Sequence, residues 1–312
     1  MNVSVLGCGR WGSFIAWYLN SIGHKVVLWG RENSKSLNQL IKYKKNDLIT
    51  FNENVKFTSD LDLAISHAET IIISISCQSL DDFSKQLIKY DLSDRNIVLC
   101  MKGIEETSTK RLTQVVETYI GESLPIAIWV GPGQPSDFVK GIPNCMVIDS
   151  KNTSLKKHLV QSFSNDLIKL YIGVDLIGNE IGAAAKNVIG IAAGLLDGIG
   201  YSSLKGVLMS KGAKEVSDLI SAMGGNRLSA YGLCHLGDYQ ATLFSEYSHN
   251  RKFGELLAQG EKFTKLAEGV SSSSALAKLS QKYNVEMPIC SATNFIVNNG
   301  GNVKDILNGL FI

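Results

Sequence analysis

Apolar residues recur through the first 172 or so positions in short runs: Val3–Leu6, Lys25–Trp29, Thr70–Ile75, Asn96–Met101, Ile126–Val130 and Cys145–Ile148, each followed by a mixed segment. Runs of this length, separated by helical or loop segments, predict strands of a parallel sheet wound by crossovers. Most lack strict apolar–polar alternation, the pattern of strands buried on both faces. After Tyr171 the period changes. Glu180–Gly194, Ser203–Met223, Phe253–Ala267 and Ser272–Tyr283 repeat apolar positions at helical spacing, with no convincing strand among them. The expected fold class is therefore α/β, a doubly wound sheet over residues 1–175 followed by an all-helical domain over residues 176–312, with Gly173 and Gly178 punctuating the boundary. The serine run Ser271–Ser274 reads as the N-cap region of a helix rather than a linker.

A chain of 312 residues with 45% hydrophobic content exceeds what one ordinary core needs, in keeping with two domains. Its 31 basic and 29 acidic residues leave a formal charge of +2 without a basic tract, so nothing argues for nucleic acid or a charged membrane surface as partner. The six cysteines (Cys8, Cys77, Cys100, Cys145, Cys234, Cys290) form no C-x-x-C pair, which suits a reducing, cytoplasmic compartment. No signal peptide is expected, because Met1 leads straight into a strand pattern. The longest apolar stretch, around Val188–Leu196, reads as too short and too glycine-rich to span a bilayer. His67, His158, His235 and His249 lack ligand spacing, so no metal is expected.

The first strand runs into Gly7-Cys8-Gly9-Arg10-Trp11-Gly12, and Ser13–Leu19 continues as a helix. This is G-x-G-x-x-G in a strand–turn–helix setting, the fingerprint of a Rossmann-type dinucleotide domain. Gly7 permits the turn, Gly9 lets a pyrophosphate approach the backbone, and Gly12 lets the helix pack closely on the strand. The helix N-terminus adds amide donors and a positive dipole end. The second strand ends in Trp29-Gly30-Arg31-Glu32. An acid there suits the ribose hydroxyls of NAD and an arginine the 2′-phosphate of NADP, so the cofactor is open between the two, leaning to NADP or dual use. Arg31 also reads as a solvated charge. Ser76–Ser79, Lys102-Gly103 and Gly131-Pro132-Gly133 fall at further strand ends, on the sheet edge where a dinucleotide lies. Lys102 is there either a charged group in the cofactor cleft or an exposed loop lysine.

Lys186 and Asn187 interrupt Gly178–Gly194, a run of small and apolar residues that should be largely buried, so each needs a partner. Glu180 lies six residues earlier, a poor match to one helix face. A buried lysine with a lowered pKa is a proton donor or acceptor suited to hydride chemistry; the competing reading is a structural ion pair with an acid elsewhere. His235–Thr242 and Ser248–Gly254 read as a polar, turn-rich connection between helices.

These elements together resemble the NAD(P)-dependent glycerol-3-phosphate dehydrogenase family, from the first glycine loop nearly to the C-terminus. The likeness is carried by Gly7-x-Gly9-x-Trp11-Gly12, by Lys102-Gly103-Ile104-Glu105, and by Gly182–Asn187 followed by Ile191–Gly194 and Asp197-Gly198. It continues in Leu236-Gly237-Asp238, in Asn250–Gly254 and in Glu268-Gly269-Val270. The resemblance implies reversible reduction of dihydroxyacetone phosphate to sn-glycerol 3-phosphate with NAD or NADP, supplying phospholipid backbone, in a cytoplasmic homodimer. It implies Lys186 and Lys102 as catalytic groups. Lys102, Gly131, Gly133, Asn187, Asp238, Thr242, Ser248, His249 and Asn250 would meet substrate. Gly7, Gly9, Arg10, Trp11, Gly12, Arg31, Lys102, Pro135 and Glu268 would meet cofactor.

Two positions depart from the family pattern. His249 stands where an arginine usually precedes the asparagine matched to Asn250, and Gly131-Pro132-Gly133-Gln134-Pro135 lacks the usual hydroxyl residue. A protonated histidine binds an oxyanion without the bidentate fork of a guanidinium, and Arg251 and Lys252 are the neighbouring cations that would compensate. The alternative is a related reductase of the 2-dehydropantoate or 3-hydroxyacid type, whose carboxylate substrate needs less positive charge near Asn250. A non-catalytic nucleotide sensor would need the glycine loop without Lys102, Lys186 and Asp238.

Overall fold

The computed structural model describes residues 1–311. The chain divides into two compact units. The first contains Met1–Met101, Thr113–Trp129 and Gly133–Gly173; the second contains Lys102–Leu112, Val130–Pro132 and the chain from Val174 onward. Two segments N-terminal to residue 175 thus cluster with the helical half.

The first unit is built on β1 (Asn2–Leu6), β2 (Lys25–Trp29), β3 (Lys56–Thr58), β4 (Thr70–Ile73), β5 (Asn96–Leu99), β6 (Ile126–Val130), β7 (Asn144–Ser150) and β8 (Ile168–Ile172), in the order β3-β2-β1-β4-β5-β6-β7-β8. The pairs β2–β3, β1–β2, β1–β4, β4–β5, β5–β6 and β7–β8 are parallel. Ser150 at the end of β7 donates to the carbonyl of Ile126 at the start of β6, so these two strands run in opposite directions and the sheet is mixed. Helices α1 (Arg10–Ser21), α2 (Lys35–Tyr43), α3 (Leu61–His67), α4 (Leu80–Leu87), α5 (Leu112–Ile120), α6 (Pro135–Val139) and α7 (Thr153–Phe163) complete the winding. Ser34, Asp60 and Asn152 cap α2, α3 and α7 through their side-chain oxygens. The central strands are apolar on both faces, as their runs predict. The patterns read as Thr70–Ile75 and Asn96–Met101 stop being strand at Ile73 and Leu99. β3 and β8 are edge strands with exposed positions, and neither presents an unbroken apolar run to read.

The second unit is organised around α8 (Leu176–Gly198), which is buried over most of its length. Packed with it are α9 (Lys205–Ala222), α10 (His249–Ala258), α11 (Gly269–Tyr283), α12 (Pro288–Asn299) and α13 (Val303–Phe311). A Cβ on Gly194 would lie 1.9 Å from the Arg251 carbonyl oxygen, and one on Gly254 2.1 Å from that of Ile191, so bare glycines let the α8 and α10 backbones touch. By length and composition α8 is apolar enough to cross a membrane, but 89% of the qualifying window is buried within the protein. The apolar stretch read at Val188–Leu196 underestimates this helix because Glu180, Lys186 and Asn187 interrupt it. α10 ends at Ala258, ahead of the left-handed Gly260, rather than continuing to Ala267. The serine run does not cap α11. That helix starts at Gly269 with Glu268 at its N-cap, and Ser271 and Ser272 donate back to the Glu268 carbonyl from inside the first turn.

Glu215 of α9 is buried and accepts the amides of Ile289 and Cys290 at the start of α12, at 2.7 and 3.2 Å. Burial still pushes its carboxyl up to about 7, so the fold favours the neutral form. Its stabilising contribution is complete below the ordinary value of 4.5 and is lost as pH rises through about 7. Glu215→Gln is expected to flatten this loss, measured as the change in urea midpoint between about pH 5 and about pH 8; an equal change in variant and wild type would refute the assignment.

Candidate functional site

The glycine loop joins β1 to α1 within the first unit. Gly7 has φ +124°, and a Cβ on Gly12 would lie 1.9 Å from the Gly7 carbonyl oxygen, so the turn itself demands these glycines. Gly9 differs. It is the exposed N-cap of α1, and a Cβ there meets nothing within 4 Å. The protein's own packing gives no reason for glycine at that position, which leaves close approach by a ligand as the reason. No side chain caps α1 among the described residues, and the indole Nε1 of Trp11 is buried without a partner. Open backbone and unsatisfied helix amides fit the phosphates of a dinucleotide. Arg10 opens α1 and is exposed, as are Arg31 and Glu32 just beyond β2. Gly133 lies under the Phe138 ring and Pro135 starts α6, both in the first unit.

Two substitutions separate the roles of these glycines. Gly12→Ala is expected to lower the melting temperature by an overpacking cost of about 1–3 kcal/mol. Gly9→Ala is expected to keep the melting temperature and weaken NAD(P)H binding by about tenfold or more, in a fluorescence titration. Wild-type affinity in Gly9→Ala would contradict the assignment.

The second unit gathers Lys186, Lys102, Asp238 and Thr242. α8 presents Lys186, whose Nζ lies 2.8 Å from Thr242 Oγ1 and 3.1 Å from Asp238 Oδ2. The same Oδ2 takes Lys102 Nζ at 2.6 Å, and Lys102 also donates to the Gly131 carbonyl at 2.6 Å. Thr242 passes its own proton to the Asp238 carbonyl at 2.8 Å, which leaves its hydroxyl oxygen to accept from Lys186. Asn187 donates to the Lys102 carbonyl at 3.1 Å, Asn250 donates to Asn187 Oδ1 at 3.0 Å, and the Gly269 amide donates to Asn250 Oδ1 at 2.9 Å. Glu268 thus sits one residue from the end of an amide chain that begins at Lys102.

One buried carboxylate therefore faces two ammonium groups. Burial lowers Lys186 to about 8, the attraction of Asp238 opposes that shift, and repulsion from Lys102 adds to it. The two readings of Lys186, proton-transfer group and ion-pair member, describe the same side chain. Asp238 and Thr242 come from a segment read as a polar, turn-rich loop. It is indeed made of turns, a short 3-10 turn at Leu236–Asp238 and a single π turn at Gln240–Phe244, but its His235, Asp238, Tyr239 and Thr242 are buried while Gly237 and Gln240 are exposed.

The start of α10 is arranged differently from the sequence reading of a loop. Ser248 is its N-cap and accepts the Arg251 amide. His249 is exposed, with Nδ1 3.0 Å from the Leu266 carbonyl oxygen and its ring edge-on to Phe263. The carbonyl accepts, so Nδ1 carries hydrogen. Arg251 Nε lies 2.6 Å from Asp197 Oδ2, which also holds Lys205 at 2.7 Å, and Lys252 pairs with Glu255 at 3.2 Å. The cations expected to compensate for the missing arginine are thus engaged with acids of their own unit. Sequence reasoning missed the buried Arg111–Glu180 pair, which fastens the segment after Lys102 to α8. Its partners are 69 positions apart, beyond the reach of local spacing.

A glycine-loop dinucleotide unit together with a buried lysine–carboxylate–lysine group in a helical unit defines a two-domain NAD(P)-dependent oxidoreductase. The family models described as NAD-dependent glycerol-3-phosphate dehydrogenase N-terminus and C-terminus match residues 2–156 and 175–308. A glycerol-3-phosphate dehydrogenase [NAD(P)+] from Fusobacterium nucleatum is 33% identical over 100% of this chain and 97% of that protein. One from Thermoanaerobacter sp. is 30% identical over 99% and 96%. The crystal structure of glycerol-3-phosphate dehydrogenase from Coxiella burnetii superposes with a TM-score of 0.93 at 26% identity, covering 99% of this chain and 98% of that one. The chain belongs to the NAD(P)-dependent glycerol-3-phosphate dehydrogenase family.

Proposed function

We propose that this chain reversibly reduces dihydroxyacetone phosphate to sn-glycerol 3-phosphate, with Lys186 giving the proton to the carbonyl oxygen. The observation that carries the reading is the placement of Lys186. It is buried, oriented by Thr242, held beside Asp238 and brought to about 8, a value suited to giving and taking a proton near neutrality. The nicotinamide, when bound, supplies or accepts the hydride. Gly7, Gly9, Gly12 and the α1 amides would hold its phosphates, with Arg10, Trp11, Arg31, Pro135 and Glu268 as further contacts. Lys186 neutralises charge growing on the substrate oxygen, and Lys102 adds positive potential to the same group. Asp238 bridges both ammoniums, while Asn187 and Asn250 fix the Lys102 backbone. Gly131, Gly133, Ser248 and His249 are proposed substrate contacts, with His249 taking the phosphate. Family membership supports a cytoplasmic homodimer that serves phospholipid synthesis.

The pH dependence tests the donor. Carbonyl reduction needs the Lys186 ammonium, so its kcat is expected to hold below about 8 and fall above it; alcohol oxidation needs the neutral amine and is expected to rise through the same value. Parallel profiles in the two directions would exclude Lys186 as the proton carrier.

A further inference from the structure

The segment bearing Asp238 and Thr242 is fastened by two side chains that the proton transfer does not use. His235 is fully buried; its Nδ1 lies 2.9 Å from the Gly182 carbonyl oxygen of α8, and its Nε2 lies 2.7 Å from the hydroxyl of buried Tyr239. A carbonyl oxygen only accepts, so Nδ1 bears the hydrogen, Nε2 accepts, and Tyr239 donates. The neutral ring in this one tautomer satisfies both partners. Burial lowers His235 to about 4, which keeps it neutral.

Both ends of this connection bear on the proton donor. In an α-helix the carbonyl of one residue receives the amide four positions on, so the Gly182 carbonyl closes the turn that carries Lys186 and also takes the imidazole. Gly182 has no side chain to keep the ring away; a Cβ there would lie 3.0 Å from that of His235. At the other end, the Asp238 amide donates to the His235 carbonyl at 3.0 Å, and Tyr239 follows Asp238 directly. Asp238 is therefore held from both sides, by His235 and by a residue bonded to that same ring. The ionisable groups facing the pair are Asp238 and Lys186 at the imidazole, with Lys102 beyond them, and Cys290 and Glu215 toward the phenol.

We propose that His235 and Tyr239 are positioning residues, a tautomer-locked pair that sets the placement of Asp238 and Thr242 against Lys186. The proposal rests on Lys186 as proton donor. Tyr239→Phe keeps the ring volume and deletes the donor to Nε2; His235→Asn keeps a donor for Gly182 and deletes Nε2. Each is expected to lower kcat for dihydroxyacetone phosphate reduction by about tenfold or more with KM for the cofactor unchanged, and to lower the melting temperature modestly because one buried polar partner is left unpaired, the folded enzyme being assayed well below that temperature. The alkaline limb of kcat is expected to move to lower pH, because a displaced Asp238 supports the Lys186 ammonium less well.

A readout independent of turnover is the nitrogen spectrum of 15N-histidine-labelled protein, with His235 assigned by its loss in His235→Asn. It is expected to show the neutral Nδ1–H form from about pH 5 to about pH 8, with the Nε2 resonance displaced in Tyr239→Phe as the bond from the phenol is lost. The two readings fail separately. Turnover retained in Lys186→Met removes the donor. An Nε2–H tautomer in the wild type, or unchanged kcat and alkaline limb in Tyr239→Phe, removes the lock. Should His235→Asn fail to fold, Tyr239→Phe decides alone.

Discussion

Replacing Lys186 with methionine is expected to lower kcat by about 10²–10⁴-fold, the usual worth of a positioned acid–base group, while leaving NAD(P)H affinity within about a factor of two. The side chain is buried and its nitrogen reaches Thr242 and Asp238, so the loss falls on proton delivery. Methionine keeps the length and apolar character of the stem, and Asp238 keeps Lys102 as its partner at 2.6 Å, so the fold should lose little stability. Steady-state kinetics, a cofactor titration and a thermal melt give the three numbers. A Lys186→Met enzyme with wild-type kcat, or one whose lost activity follows a collapsed melting temperature, would remove the lysine from the chemistry.

Asp238→Asn is expected to harm stability more than Lys186→Met does. Asp238 is 1% exposed and its Oδ2 is the acid shared by two ammonium groups. Neutralising it leaves two like charges facing each other in a dry site, and breaking a buried pair in this way costs about 3–5 kcal/mol. Lys186 also loses the attraction that opposes its desolvation, so it releases its proton below about 8. Reduction by the variant should therefore be weak near neutrality and recover in part as pH falls, the reverse of a general loss of structure. Chemical unfolding and a pH–rate profile read the two effects apart; wild-type stability together with a wild-type alkaline limb would show that Asp238 does not hold the lysines.

Which parts of this arrangement a reader of the sequence reaches depends on how local each determinant is. β2, β4 and β6 are legible because side chains on both faces are buried and leave unbroken apolar runs, Val26–Trp29, Ile71–Ile73 and Ile126–Val130. β3, three residues long with Lys56 exposed, exists by pairing with β2 and carries no such mark. The glycine loop is legible because its spacing is a backbone requirement, and the structure adds the difference between Gly12, demanded by the turn, and Gly9, which is open. Lys186 draws notice as a charge inside an apolar helix. Its partner does not, since Asp238 sits in a segment whose polarity suggests solvent, and only folding turns that segment inward. Lys102 is ambiguous in sequence for a related reason: it follows a strand of the first unit but clusters with the second, fastened by Asn187 and by Arg111 on Glu180. His235 and Tyr239 are four residues apart across the short 3-10 turn, in a segment that reads as a loop, so their spacing announces no contact.

His249 and the engaged Arg251 make the substrate's anion the sharpest question. The deciding measurement is the absorbance of reduced nicotinamide on mixing purified protein and dihydroxyacetone phosphate with NADH or NADPH, beside matched reactions with unphosphorylated keto acids. The account predicts rapid oxidation with dihydroxyacetone phosphate and at least one cofactor, and little with the keto acids. Cofactor binding without turnover of dihydroxyacetone phosphate, or faster turnover of a keto acid, would contradict it.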